Sequence, residues 1–128
     1  MAATCAGAKI VVQRPADFDR AKGNSVFTDI LTAQPDIAAV FAHNDEMVLG
    51  AIQAAEAAKR TGIVFVGFDA IDDAVAAVKA GTLAATVAQQ PAVMGQLGID
   101  TAIKSLNGEQ VESFIPVDLA LVTKDTVK

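Results

Sequence analysis

The stretch Ile63-Val-Phe-Val-Gly-Phe-Asp69 decides the fold. Its residues up to Phe68 are apolar or glycine without alternation, and the run stops on a carboxylate. Such a pattern predicts a strand buried on both faces, as parallel strands are. Two similar runs flank it: Ala38 to Ala42 stops before His43-Asn44-Asp45, and Leu83 to Ala88 stops before Gln89-Gln90-Pro91. Helical spacing fills the intervals, with Val48, Ala51, Ile52 and Ala55 in one and Ile71, Val75 and Val78 in the other. Strand–helix alternation of this kind predicts an α/β fold, a doubly wound, mostly parallel sheet with flanking helices.

Working outward, Lys9 to Arg14 (KIVVQR) reads as a further short strand. The turn RPADFD follows, then a helix with Val26, Phe27, Ile30 and Leu31 on one side, ended by Pro35. Asn44 or Asp45 caps the next helix, which places Lys59 and Arg60 in its last turn with Gly62 after them. The helix before Gly81 begins near Ala70, with Asp72 and Asp73 as first-turn charge. Pro91 suits the first turn of a helix whose apolar face is Ile99, Ala102, Ile103 and Leu106, up to Gly108. Val117, Leu119 and Leu121 alternate with Asp118 and Ala120, which predicts a closing strand.

Composition narrows the function. The 128 residues suffice for one domain, and 52% hydrophobic with 20% charged residues describes a globular chain. Trp and Tyr are absent, so the core must be built from Ala, Val, Ile and Leu with a few Phe. A net charge of −5 argues against nucleic acid or an anionic membrane as partner. A single cysteine, Cys5, leaves no internal disulfide. Only Met1-Ala2-Ala3-Thr4 precede it, so neither lipid anchor nor signal peptide is expected in this chain. No apolar run approaches membrane-spanning length.

Asn44, Asp69 and Gln89 each sit where a strand pattern stops. In an open α/β sheet that is the ligand edge, just beyond the carboxyl ends of the strands. One carboxylate and two amides, with no metal-ligand spacing and no Gly-rich phosphate loop, suit a neutral ligand rich in hydroxyls. Each residue also has a plainer reading. Asn44 and Asp69 are both at cap positions, Phe18 between Asp17 and Asp19 reads as a packing anchor, and His43 reads as a solvated loop residue. Gln is a poor cap, so Gln89 is harder to dismiss. An enzyme is not expected: no Ser-His-Asp set or G-x-S-x-G elbow can be assembled, and no cofactor motif follows a strand. A phosphoacceptor receiver domain has similar length, but it needs an acidic pair ending the first strand and a Lys where Gln89 stands.

RPADFDRAKG (Arg14 to Gly23), AVFAHNDEMVLGAI (Ala39 to Ile52), VGFDA (Val66 to Ala70) and LAATVAQQPAVMGQLG (Leu83 to Gly98) closely resemble periplasmic ribose-binding proteins, the receptors of ABC-type sugar importers. The resemblance runs from about Lys9 to the end. It implies one lobe of a two-lobed, type I periplasmic-binding-protein fold, with sugar trapped between lobes. Carried over by position, Phe18 would stack on the sugar ring, Asn44 and Gln89 would hydrogen-bond hydroxyls, and Asp69 would accept from two neighbouring hydroxyls. The implied ligand is ribose or a related pentose, the implied partners are the importer's membrane subunits, and the implied location is periplasmic. No direct membrane insertion is implied.

The departures from the family are as informative. Such receptors are much longer; the first lobe, the first strand of the second lobe and an Arg-bearing loop have no counterpart here. Ala70 replaces a common glycine and His43 a common Gln. The chain is therefore expected to be a truncated or partial receptor. Residues 9–90 would form the second-lobe core, 91–108 a helix belonging to the first lobe, and 114–128 a closing strand and tail. The absent strand would lie between the Lys9 and Ala39 strands, so these either pair directly or another chain supplies the strand, as a homo-oligomer or by complementation. Sugar-responsive repressors share this core, which keeps an effector-binding domain as the alternative.

Overall fold

The computed structural model describes residues 7–127; Cys5 and the residues before it lie outside that range. Eight elements follow in order: α1 (Arg20–Ala33), β1 (Ala39–Phe41), α2 (Asp45–Ala57), β2 (Val64–Asp69), α3 (Asp72–Ala80), β3 (Ala85–Ala88), α4 (Pro91–Leu106) and β4 (Ala120–Thr123). The sheet order is β1-β2-β3-β4. The first two pairings are parallel, whereas β4 runs antiparallel to β3, with Leu121 opposite Val87.

The helices α1 and α2 cross closely because small residues let them. Gly23 on α1 and Gly50 on α2 face the other helix so closely that a β-carbon would have no room. At Gly23 it would come within 2.5 Å of the Met47 carbonyl oxygen, and at Gly50 it would strike the Arg20 carbonyl and sit 2.7 Å from the Asn24 amide nitrogen. Phe27 and Leu31, one turn apart, then reach the core, where the Phe27 ring meets Phe65 of β2 edge-on at 5.7 Å. Val48, Ile52, Ala74, Val78 and Leu83 complete that core.

The opposite face of the sheet is open. Phe41, Val64 and Leu121 are 40%, 49% and 57% exposed, so β2 is buried on one face rather than on both as its sequence predicts. A strand alternates its side chains, and only the face carrying Phe65 and Gly67 meets α1–α3. α4 buries none of its residues among the described chain, and its expected apolar stripe of Ile99, Ala102, Ile103 and Leu106 faces outward.

Three local expectations need correction. Lys9 to Arg14 forms no strand, and Ile10 and Val11 are exposed. Its β-branched composition fits a pleated, half-buried surface, and without a neighbouring strand that preference has nothing to act on. It does not pair with β1, whose outer edge receives no strand from the described chain. At the end of α2, Lys59 and Arg60 lie beyond the helix. Lys59 itself takes the left-handed conformation (φ 55°), and its amide and that of Arg60 close back on Glu56 and Ala55, so Gly62 is not the cap. Finally, α3 begins after Ile71, which gives no side-chain cap, so Asp69 does not cap it.

Candidate functional site at the carboxyl edge of the sheet

The parallel pairing of β1, β2 and β3 brings their carboxyl ends to one edge of the sheet. Asn44 lies three residues past β1, Asp69 ends β2 and Gln89 follows β3. Because Asp69 is in register with Ala88, the Gln89 side chain starts beside it, and Gln89 Nε2 donates to Asp69 Oδ1 at 2.6 Å. The other Asp69 oxygen accepts no hydrogen bond from the described residues.

Asn44 is nearly buried and is the cap of α2. Its Oδ1 accepts from the Met47 amide at 3.0 Å, and its Nδ2 donates to the Phe18 carbonyl at 3.4 Å. That second bond tethers the turn before α1 to the end of β1 and places Phe18, 67% exposed, next to the edge. Phe18 is thus not the packing anchor that its neighbours suggest. The structure joins the four candidates in two pairs, Asn44 with Phe18 and Asp69 with Gln89, and no direct hydrogen bond links the pairs.

Backbone strain is concentrated here. Asp17, Phe18, Asp69 and Ala70 all have positive φ, at 49°, 57°, 119° and 57°. Side chains with a β-carbon are held there only when their surroundings over-determine the conformation. For Ala70 this has a direct test. The left-handed region costs a non-glycine residue about 1–2 kcal/mol, and glycine loses about 0.4–1 kcal/mol through its freer unfolded chain. Ala70→Gly should therefore raise stability by roughly 0.5–1 kcal/mol, read as a higher melting temperature.

Asp45, next to Asn44 in the chain, bonds to the turn that follows Asp69; the sequence gives it only a capping role. It is fully buried at the start of α2; its Oδ1 accepts from Thr86 Oγ1 at 2.7 Å and its Oδ2 from the Ile71 amide at 3.0 Å. Burial raises its pKa, while the hydrogen bonds from Thr86 and Ile71 pull the other way. The signal for it was Gly67. A glycine inside an apolar strand marks a close approach, and a β-carbon there would collide with Asp45 Oδ1 and Val48.

The helix N-termini along this edge are tied by Arg20, at the start of α1, which grips Glu46 of α2 through two nitrogens and Asp73 of α3 at 2.9 Å. These pairs hold the guanidinium charged and the three helix ends together. A groove of about 360 Å³ lies elsewhere, between α4 and the following stretch, with Met94, Leu97 and Ile115 on its walls. No helix among the described residues is long and apolar enough to cross a membrane.

A family model described as a periplasmic binding protein domain matches residues 2–110. The ribose import binding proteins RbsB of Haemophilus influenzae and of Escherichia coli are each 50% identical to this chain over 115 residues, 90% of this chain. The chain spans only 39% of the length of these curated relatives. Among solved structures, a periplasmic solute-binding protein of an ABC transporter from Actinobacillus succinogenes, with bound D-allose, superposes with a TM-score of 0.84. It is 35% identical, and the match covers 93% of this chain and 43% of that one.

Proposed function

The chain belongs to the periplasmic binding protein domain family, and from that premise we propose that it carries one lobe's share of a monosaccharide site, with D-ribose as ligand, in the extracytoplasmic receptor of an ABC-type sugar importer. The observation that carries this reading is the 2.6 Å hydrogen bond from Gln89 to Asp69 at adjacent strand ends. It orients a carboxylate whose second oxygen has no partner among the described residues. A carboxylate so held is an acceptor for two neighbouring hydroxyls, each charge-assisted bond contributing about 1.5–3 kcal/mol. Gln89 supplies an amide group beside it, Asn44 supplies one past the end of β1, and the exposed Phe18 ring supplies an apolar face for the carbon side of a sugar ring.

The names of the relatives support ribose as the ligand, and the importer's membrane subunits and a periplasmic setting come with the same reading. In it, residues 9–90 form the lobe core and 114–128 the closing strand and tail. The helix within 91–108 packs on a first lobe. The uncovered apolar stripe of α4 supports that last assignment.

One lobe provides one lobe's contacts. A micromolar receptor has a binding free energy of about −8 kcal/mol, and losing half of it leaves millimolar affinity. Calorimetry on this chain at micromolar concentration should therefore register no ribose binding. NMR at tens of millimolar ribose should move the resonances of Asp69, Gln89 and Asn44, and Asp69→Ala should remove that response. A micromolar dissociation constant would overturn the half-site reading. Ribose-induced shifts confined to other residues would overturn the site assignment.

A further inference from the structure

Asp45 is a buried carboxylate that none of the proposed sugar contacts uses, yet the hydrogen bonds around it converge on the turn that carries one of them. Thr86 Oγ1 donates to Asp45 Oδ1 and accepts from the Ala70 amide at 3.2 Å, while the Ile71 amide donates to Asp45 Oδ2. The two amides that follow Asp69 are thus both tied to one pair of buried side chains, from α2 and β3. We propose that Asp45 and Thr86 are positioning residues for the Asp69 carboxylate, holding its turn in the conformation that presents the carboxylate at the sheet edge. This rests on the reading of Asp69 as a sugar contact.

Three features make the arrangement a positioning device as well as a core contact. Asp69 and Ala70 have positive φ, so releasing their following amides would let the turn relax to ordinary backbone angles and swing the carboxylate away. Asp45 cannot retreat from its place, since it fills the space left by the missing side chain of Gly67 and is fully buried. Asp69 is also held from the far side by Gln89, three residues beyond Thr86 on the same segment. One short stretch, Thr86 in β3 and Gln89 just beyond its end, therefore grips the turn at both its backbone and its carboxylate. The like charge of Asp69 is among the influences that raise the Asp45 pKa, which agrees with two carboxylates held near each other by these bonds.

The test uses the 128-residue chain with Thr86→Val, which removes the hydroxyl and keeps the shape, and with Thr86→Ser, which restores the hydroxyl. Val78→Ala serves as a control that destabilises the core away from the turn. In Thr86→Val, hydrogen exchange at Ala70 should accelerate about tenfold relative to the amide of Val66, as expected for one lost hydrogen bond. The Gln89 side-chain amide resonance should move to the position of a free amide, and the ribose dissociation constant should rise about fivefold or more in the same variant. Thr86→Ser should recover all three readouts, and Val78→Ala should leave them unchanged. If Thr86→Val frees the Ala70 amide while the Gln89 resonance and the ribose affinity stay at wild-type values, the positioning role is wrong. If the wild-type chain shows no ribose response, the sugar reading fails on its own, and the Gln89 resonance still decides whether Thr86 holds Asp69.

Discussion

Gly50→Ala should cost this protein about 3 kcal/mol or more, because the methyl group would have to displace backbone and not a side chain. Its β-carbon would meet the Arg20 carbonyl and the Asn24 amide nitrogen, both on α1. Neither can rotate aside, so α1 and α2 must separate, and the Phe27–Phe65 contact beneath them must open. Against the roughly 5–15 kcal/mol that domains possess in total, this is a large fraction. The contrast lies on α4. Gly95 and Gly98 have nothing near their β-carbon positions, so alanine there should stabilise by up to about 1 kcal/mol through helix propensity. Urea unfolding of the three variants checks the pair of signs. A Gly50→Ala midpoint equal to wild type would mean that the two helices do not cross as closely as described.

Asp45→Ala should be comparably damaging. It leaves the Thr86 hydroxyl and the Ile71 amide without their acceptor inside the fold, at about 1–3 kcal/mol for each buried donor. Asp45→Asn gives a finer test through pH. Burial raises the Asp45 pKa above its ordinary value of 3.8. The folded state then holds this proton more tightly than the unfolded chain does. Stability from this group is therefore full below pH 3.8, falls as pH rises through the raised folded value, and is flat above it. An asparagine has no such slope. The stability gap between wild type and Asp45→Asn should accordingly narrow as pH increases from 4 towards 7. Unfolding curves for both proteins at several pH values measure it, and a gap that widens over that range would show that Asp45 is not desolvated in the fold.

Much of the candidate site's placement was legible in the chain because strand ends are legible. An apolar run that stops on Asp69, or at Gln89 before a proline, marks a carboxyl end, and parallel order then puts such ends on one edge. What could not be read was which atoms meet there. Asn44 takes its plainer reading as the cap of α2 and also tethers Phe18, a contact no local pattern suggests, and burial decides how much of its amide remains for a ligand. Asp45 was hidden because its side-chain direction depends on the sheet behind it, and only the glycine at position 67 hinted at that.

The sequence by itself determined the order of elements from α1 onward, the parallel core and the three polar strand ends, since hydrophobic period and punctuation by Asn, Gly and Pro are local properties of the chain. It also determined where α3 ends, because Gly81 alone supplies the left-handed residue that closes it. Only the tertiary structure decided the rest. Lys9 to Arg14 stays out of the sheet because β preference is realised only against a neighbouring strand. Phe41, Val64 and Leu121 are exposed because burial depends on which elements lie across the sheet, and α1–α3 all lie on the other side. Asp69 and Ala70 keep their unusual backbone angles because Asp45 and Thr86, distant in sequence, hold the two amides that follow Asp69.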